Sequence, residues 1–307
     1  GFLELPKDVV IFPVDGQHRV AGIIEALKVK PDIGREQVPV VFIAHEDSPD
    51  GIKRTRKLFS TLNRRAKPVG ENAQIALDED DVVAIATREL IASCPLFWGK
   101  RLANGNGKQI PRKDADAFTS LITLYQSNSI LIQSRLGLAG KKYKDFLFYR
   151  PDEKIVKDLT DFIVSYWSSF STRMNAISDY LCEEVAPANS YRNEHGGNIL
   201  FRPVVLTEFV RATVEIAKEN DGSFDSAFEK LNCVQMDLSA TPWKGVLWDG
   251  KKMITRADKK LIMLLILHMH DKTFLDDENK RFLVEKYMSA INYEGEPEEI
   301  VTLLDSI

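Results

Sequence analysis

Five consecutive residues, Asp15-Gly16-Gln17-His18-Arg19, carry the densest chemistry in the chain. They fall where an apolar run, Val9-Val10-Ile11-Phe12-Pro13-Val14, gives way to Val20, Ile23, Ile24 and Leu27 at helical spacing. A helix start exposes unpaired backbone N–H groups and the positive end of the helix dipole, and so favours phosphate. Gly16 lets a ligand approach the backbone and permits a tight turn. Arg19 can grip two phosphate oxygens, and His18 can donate or shuttle a proton. Asp15 is the candidate residue for holding Mg²⁺ through water or for orienting an attacking water. A plainer reading makes Asp15 a helix N-cap, Gly16 a turn residue and Arg19 a surface cation. No Glu or Gln stands three residues after Asp15, so a full capping box is absent.

A second feature is cationic. Lys53, Arg54, Arg56, Lys57, Arg64, Arg65 and Lys67 crowd a stretch with no acid between Gly51 and Gly70. At about 100° per helical residue, Lys53, Lys57 and Arg64 share an arc of roughly 40°, while Ile52, Thr55, Leu58, Phe59 and Leu62 take the other side. The stripe suits DNA phosphates, an interaction that weakens steeply with salt. The alternative is a solvated face, or one paired with the acids Asp78 to Asp81. No base-reading motif is evident: no zinc finger, no basic zipper and no clear helix-turn-helix.

Strands and helices must position these groups. Val9–Val14 and Gln37–Ile43 read as short buried strands, with Pro39 near the start of the second. Helices are expected over Arg19–Lys28, from Ser48-Pro49 to about Arg65, and from the Asp78–Asp81 cluster to Ser93. Asn104-Gly105-Asn106-Gly107 signals a hairpin or loop. Beyond it the chain reads as mainly helical: Asp114–Leu136, Glu153–Val185, Pro203–Glu219, Phe224–Leu231, Ala257–His270 and Asp277–Ile291. Val246–Ile254 reads as a small hairpin around Asp249-Gly250. The expected fold class is mixed, α/β or α+β, with an α/β core over residues 1–95 and a larger, mainly helical portion over 96–307. The first residues read as the middle of a fold, so the core is expected to be truncated at its N-terminus.

The composition is that of a globular chain. The 307 residues are 44% hydrophobic and 28% charged, with 41 Lys and Arg against 45 Asp and Glu. A net charge of −4 excludes a uniformly basic coat but not a local basic patch. Cys94, Cys182 and Cys233 are too dispersed for a disulfide framework or a Cys-x-x-Cys pair, and are expected to be buried apolar residues in a reducing cytoplasm. The longest apolar run, Leu261–Leu267, is far short of a membrane span.

The pentapeptide resembles the signature of the DGQHR-domain proteins, which include the DndB-like proteins of DNA-modification systems. Looser matches are Phe59-Ser60-Thr61-Leu62-Asn63 with Lys67-Pro68-Val69, then Leu200-Phe201-Arg202-Pro203, and Pro242-Trp243-Lys244-Gly245-Val246-Leu247-Trp248. The resemblance implies a ParB/sulfiredoxin-like core and a nucleotide-phosphate site formed by Gly16, His18 and Arg19, with Asn63 near in space. The similar loop of sulfiredoxins has a reactive cysteine before His-Arg. Gln17 stands there instead, so that sulfur chemistry is not expected. The resemblance further implies ATP or another nucleoside triphosphate with Mg²⁺, DNA and the other proteins of a phosphorothioation or deazaguanine system as partners. The catalytic residues would be Asp15, Gln17, His18 and Arg19. A non-catalytic DNA-binding regulator of the modification genes is the alternative. Oligomeric state stays open, and no membrane partner is expected.

Other signals carry less. His268 and His270 are two apart and on a helix point away from each other, which disfavours a shared metal. Gly105-Asn106-Gly107-Lys108-Gln109 lacks the spacing and hydroxyl of a P-loop. Glu194-His195-Gly196-Gly197 reads as a flexible loop that either closes over a ligand or is simply polar. Trp243 and Trp248 read as core.

Overall fold

The computed structural model describes residues 4, 9–13, 16–55, 58, 70–105, 107–182, 188, 190–219 and 221–307, with the side chains of residues 18 and 112 left aside. The chain forms two compact units, Gly1–Val69 and Gly70–Ile307.

In the first unit, helix α1 spans Gln17–Val29, two residues longer at its start than the apolar spacing predicts. A 3-10 turn follows at Pro31–Arg35. Residues 49–55 and 58 are helical, with the predicted serine cap: the Gly51 N–H donates to Ser48 Oγ at 3.1 Å. The two expected strands do not form among the described residues. Residues 9–13 and 37–43 are irregular and largely exposed, Val10 at 83% and Val41 at 85%. An apolar run reads as a buried strand only if a neighbour takes its N–H and C=O groups. Neither segment has such a neighbour among the described residues.

The second unit is a helical assembly. Its helices are α2 (Glu71–Leu77), α3 (Val82–Ser93), α4 (Leu121–Leu136), α5 (Gly140–Leu147), α6 (Glu153–Arg173) and α7 (Asn175–Cys182). After these come α8 (Pro203–Glu219), α9 (Phe224–Leu231), α10 (Lys259–His270), α11 (Asp277–Ile291) and α12 (Pro297–Asp305). The only named strands among the described residues, β1 (Leu102–Ala103) and β2 (Thr119–Ser120), pair in parallel with Leu102 opposite Thr119. The fold is thus mixed but mainly helical, and its small sheet lies beyond the segment expected to carry it. Because β1 and β2 pair in parallel, they are not joined by a tight hairpin, which would join antiparallel strands.

Among the described residues, side-chain caps open five helices of the second unit. Asp81 accepts from the N–H groups of Val83 and Ala84 at 2.8 and 3.3 Å, so α3 opens at the end of the acidic cluster as expected. Ser120 caps α4, which delays that helix to Leu121 because the preceding residues are drawn into β2. The long helix expected over Glu153–Val185 breaks at Met174, where the Asn175 N–H is taken by Asn232 Oδ1 at 3.0 Å. Residues 183–185 lie outside the described residues.

Helix α8 runs through the core and packs against α4, α9 and α10, while α6 packs against α3 and α9. Aromatic rings fill the space between them. Phe97, Trp167 and Phe170 meet edge to face at centroid distances of 5.2 Å, and Phe118 meets Phe201 at 5.1 Å. One polar network crosses this core. Asn128 donates to Thr87 Oγ1 at 2.9 Å and accepts from Trp167 Nε1 at 2.7 Å, tying α3, α4 and α6. No helix of the described residues is long and apolar enough to cross a membrane.

Candidate functional site

Gly16 is the N-cap of α1 and adopts the left-handed conformation, φ 85° and ψ 18°. Glycine reaches that region without the strain a Cβ brings. The cap therefore lies one residue after Asp15, and Gly16 has no side chain to occupy the amides of the first turn. Arg19 folds back over this position. Its Nε and Nη2 lie 3.6 and 3.7 Å from the point where a Gly16 Cβ would stand. Gln17 and Arg19 are exposed. Asp15 and the side chain of His18 lie outside the described residues, as does Asn63.

Of the seven basic residues, Lys53 and Arg54 are described, and both are exposed. Arg54 Nη2 donates to the Ala44 carbonyl at 2.9 Å, and His45 Nδ1 is 2.8 Å from Thr55 Oγ1. These contacts pin the helical segment to the irregular chain before it. Arg56, Lys57, Arg64, Arg65 and Lys67 lie outside the described residues. Two of the acids offered as alternative partners have contacts within the second unit. Glu79 pairs with Arg88 at 2.8 Å and Arg150 at 3.5 Å, and Asp81 accepts from the Tyr125 hydroxyl at 2.5 Å. Burial, and then that contact with Asp81, push the Tyr125 phenol well above its usual pKa.

The second unit brings two separate motif segments together. The Arg202 guanidinium, from Leu200–Pro203, lies over the Trp248 ring of Pro242–Trp248, 5.9 Å from its centroid. Arg202 also donates to the Gly196 carbonyl, while its Nε is buried without a hydrogen bond. Arg192 lies close enough to feel Arg202. Burial first, and then that neighbouring cation, lower its pKa to about 10. Arg192 is held by carbonyls: Nη2 donates to Ala115 at 2.6 Å, and Nη1 to Phe118 and Phe201 at 3.3 Å each. Trp243 and Trp248 are both buried, as the sequence predicts.

The loop before Arg202 is closely fitted. Tyr191 stacks on Phe201 at 4.3 Å, and a Cβ at Gly197 (φ 79°) would stand 2.1 Å from the Tyr191 carbonyl oxygen. Leu238 N donates to Gly197 O at 2.8 Å, so Gly196-Gly197 packs as a built turn. A shallow cavity of about 290 Å³ borders it, lined by His195, Asn198, Asp237 and Ser239 among others.

A family model for DndB, described as DNA-sulfur modification-associated, matches residues 1–270. The chain belongs to the DndB family. No curated protein and no solved structure matches it. The DndB match takes in the α1 start, the basic segment and the Arg202–Trp248 junction, while α11 and α12 lie beyond it. Sequence reasoning quoted Arg202 but gave it no role, and it missed Arg192 altogether. The cysteines also need correcting. Cys94 is buried, but Cys182 and Cys233 are exposed, because each sits at a helix end or turn where no core covers it. His268 and His270 do face different surroundings: His268 lies by Asp305, and His270 edge-on to Phe274.

Proposed function

We propose that this DndB-family chain works on DNA within a DNA-sulfur modification system, and that it binds and hydrolyses a nucleoside triphosphate at Asp15–Arg19. The observation that carries the reading is the left-handed Gly16 N-cap under the folded-back Arg19 guanidinium. The helix start and the guanidinium lie side by side at Gly16, a chemistry suited to phosphate oxygens. Arg19 and His18 would stabilise phosphate charge, Gln17 would orient the phosphate or the attacking water, and Asn63 would add a polar contact. Asp15 is the carboxylate offered to the Mg²⁺ that accompanies the nucleotide. Bound there, the metal would offset charge on the phosphate oxygens. A ParB/sulfiredoxin-like ancestry of the first unit belongs to the same proposal, supported by the placement of the motif at the turn into α1.

DNA is assigned to the basic segment, Lys53, Arg54, Arg56, Lys57, Arg64, Arg65 and Lys67, supported by the exposure of Lys53 and Arg54. The test is phosphate release from ATP and GTP with Mg²⁺, with and without DNA. Wild type is compared with Asp15→Ala and Arg19→Ala once circular dichroism shows both folded. Turnover is expected in wild type and lost in both variants. A wild type without turnover refutes hydrolysis and, if DNA still binds, leaves the regulator reading in its place. DNA affinity is expected to fall steeply with salt, with a shallower slope in Lys53→Glu/Arg54→Glu.

A further inference from the structure

Helices α10, α11 and α12 border a cavity of about 660 Å³ that the nucleotide and DNA readings do not use. That volume is ordinary for a small-molecule site, within roughly 300–1,000 Å³. Leu283, Val284, Met288, Val301 and Leu304 make its lining predominantly apolar. His268 also lines it and is 6% exposed. Neither of its ring nitrogens makes a well-aligned hydrogen bond, although the Leu304 backbone stands beside the ring. Asp305 Oδ1 approaches Nε2 to 3.3 Å without hydrogen-bond alignment. Burial holds the imidazole below its usual pKa. Asp305 and then the Leu304 backbone pull the other way, and the ammonium groups of Lys272 and Lys280 add to the lowering. A neutral imidazole carries one N–H donor, and a buried donor without an acceptor is costly. Three cations line the cavity, Lys272, Lys280 and Arg281, against the carboxylates of Glu285 and Asp305.

We propose that this cavity binds an amphipathic organic anion, an alkyl carboxylate of medium length. Its head accepts from His268 beside Lys272 and Lys280, and its chain lies along Leu283, Val284, Met288, Val301 and Leu304. The carboxylate offers the imidazole N–H an aligned acceptor and supplies a counter-charge for the excess of cations. The alkyl chain removes apolar wall from water. The apolar wall on α11 and α12 lies beyond the family match, His268 on α10 lies within it, and the proposal stands apart from the nucleotide proposal.

The test titrates the full chain with decanoate below its micelle concentration, by calorimetry and by thermal shift, beside decanol and decylammonium. Decanoate is expected to bind, and decylammonium to bind at least about tenfold more weakly. Lys280→Glu should weaken decanoate by about tenfold or more, and Val284→Trp, which fills the cavity, should abolish binding. Both variants are first compared with wild type by circular dichroism, with Val301→Phe replacing Val284→Trp if the latter does not fold. The proposal is overturned by absence of decanoate binding up to about 1 mM. Equal affinity for all three compounds, or unchanged affinity in Lys280→Glu, overturns it as well.

Discussion

Asn128 is the polar side chain whose loss the second unit should feel most sharply. It is fully buried, and its amide group closes a chain of contacts across three helices. Its Nδ2 donates to Thr87 Oγ1, its Oδ1 accepts from Trp167 Nε1, and Thr87 Oγ1 in turn donates to the Val83 carbonyl at 2.7 Å. Asn128→Ala strips the acceptor from an indole N–H that water cannot reach, since Trp167 is also fully buried. That orphaned donor costs about 1–3 kcal/mol, and the lost Thr87 contact about 1 kcal/mol more. The unfilled side-chain volume adds roughly 1 kcal/mol. The expected total is about 3–5 kcal/mol.

Urea unfolding followed by far-ultraviolet circular dichroism measures this loss. Adding Trp167→Phe removes the orphaned N–H itself. The double variant should therefore cost less than the sum of the singles by about 1–2 kcal/mol. An Asn128→Ala loss below about 1 kcal/mol, or strict additivity in the double variant, would refute the network as the tie between α3, α4 and α6.

Gly197→Ala meets both an unfavourable φ of 79° and the Tyr191 carbonyl, so the variant should lose about 2 kcal/mol or more; an unchanged melting temperature would contradict the tight turn. Arg202→Met should cost about 1–3 kcal/mol and alter tryptophan fluorescence through Trp248, with no rescue by Arg202→Lys. A lysine matching wild type would show that neither the fork nor the planar stacking is needed. Burial holds both His268 and His270 below their usual pKa. The unfolded chain takes up these protons near pH 6.5, before the folded chain does. Stability is therefore complete above about 6.5 and falls as pH drops through the folded values. Urea midpoints at about pH 7.5 and 5.5 should separate in wild type and draw together in His268→Gln/His270→Gln.

Local signals made the helices legible. Pro203–Glu219, Phe224–Leu231 and Asp277–Ile291 form over the predicted residues, because apolar spacing and flanking polar residues fix them without distant help. Errors arise where a distant partner decides. Asn232 ends α6 from 57 residues away, and β1 draws Thr119 and Ser120 out of the helix expected there. Helices α2, α5 and α12 are not anticipated from the sequence; all three are short and uncapped by a side chain, and α5 opens on a glycine with positive φ. For the segments 9–13 and 37–43, apolar content was read as burial, although a strand is a property of a pair.

The same distinction separates the two kinds of cation in this chain. The Asp15–Arg19 motif and the Lys53–Lys67 run announce themselves because their groups are contiguous. Arg192 is silent in the sequence because its carbonyl partners at Ala115 and Phe118 stand 77 and 74 residues away. Its neighbour Arg202 finds its aromatic partner in another motif segment. Such arginines act at short range in a partly buried site, where mobile ions screen weakly. An exposed residue such as Lys53 acts through a field that salt erases within about 10 Å at 0.1 M. Ionic strength should therefore divide the two sets. Raising salt should weaken DNA binding through the basic segment while leaving the stability difference between wild type and Arg202→Met nearly unchanged. A salt-dependent Arg202 effect would mean that its charge works outward on a partner, and that the Trp248 junction is itself part of a binding face.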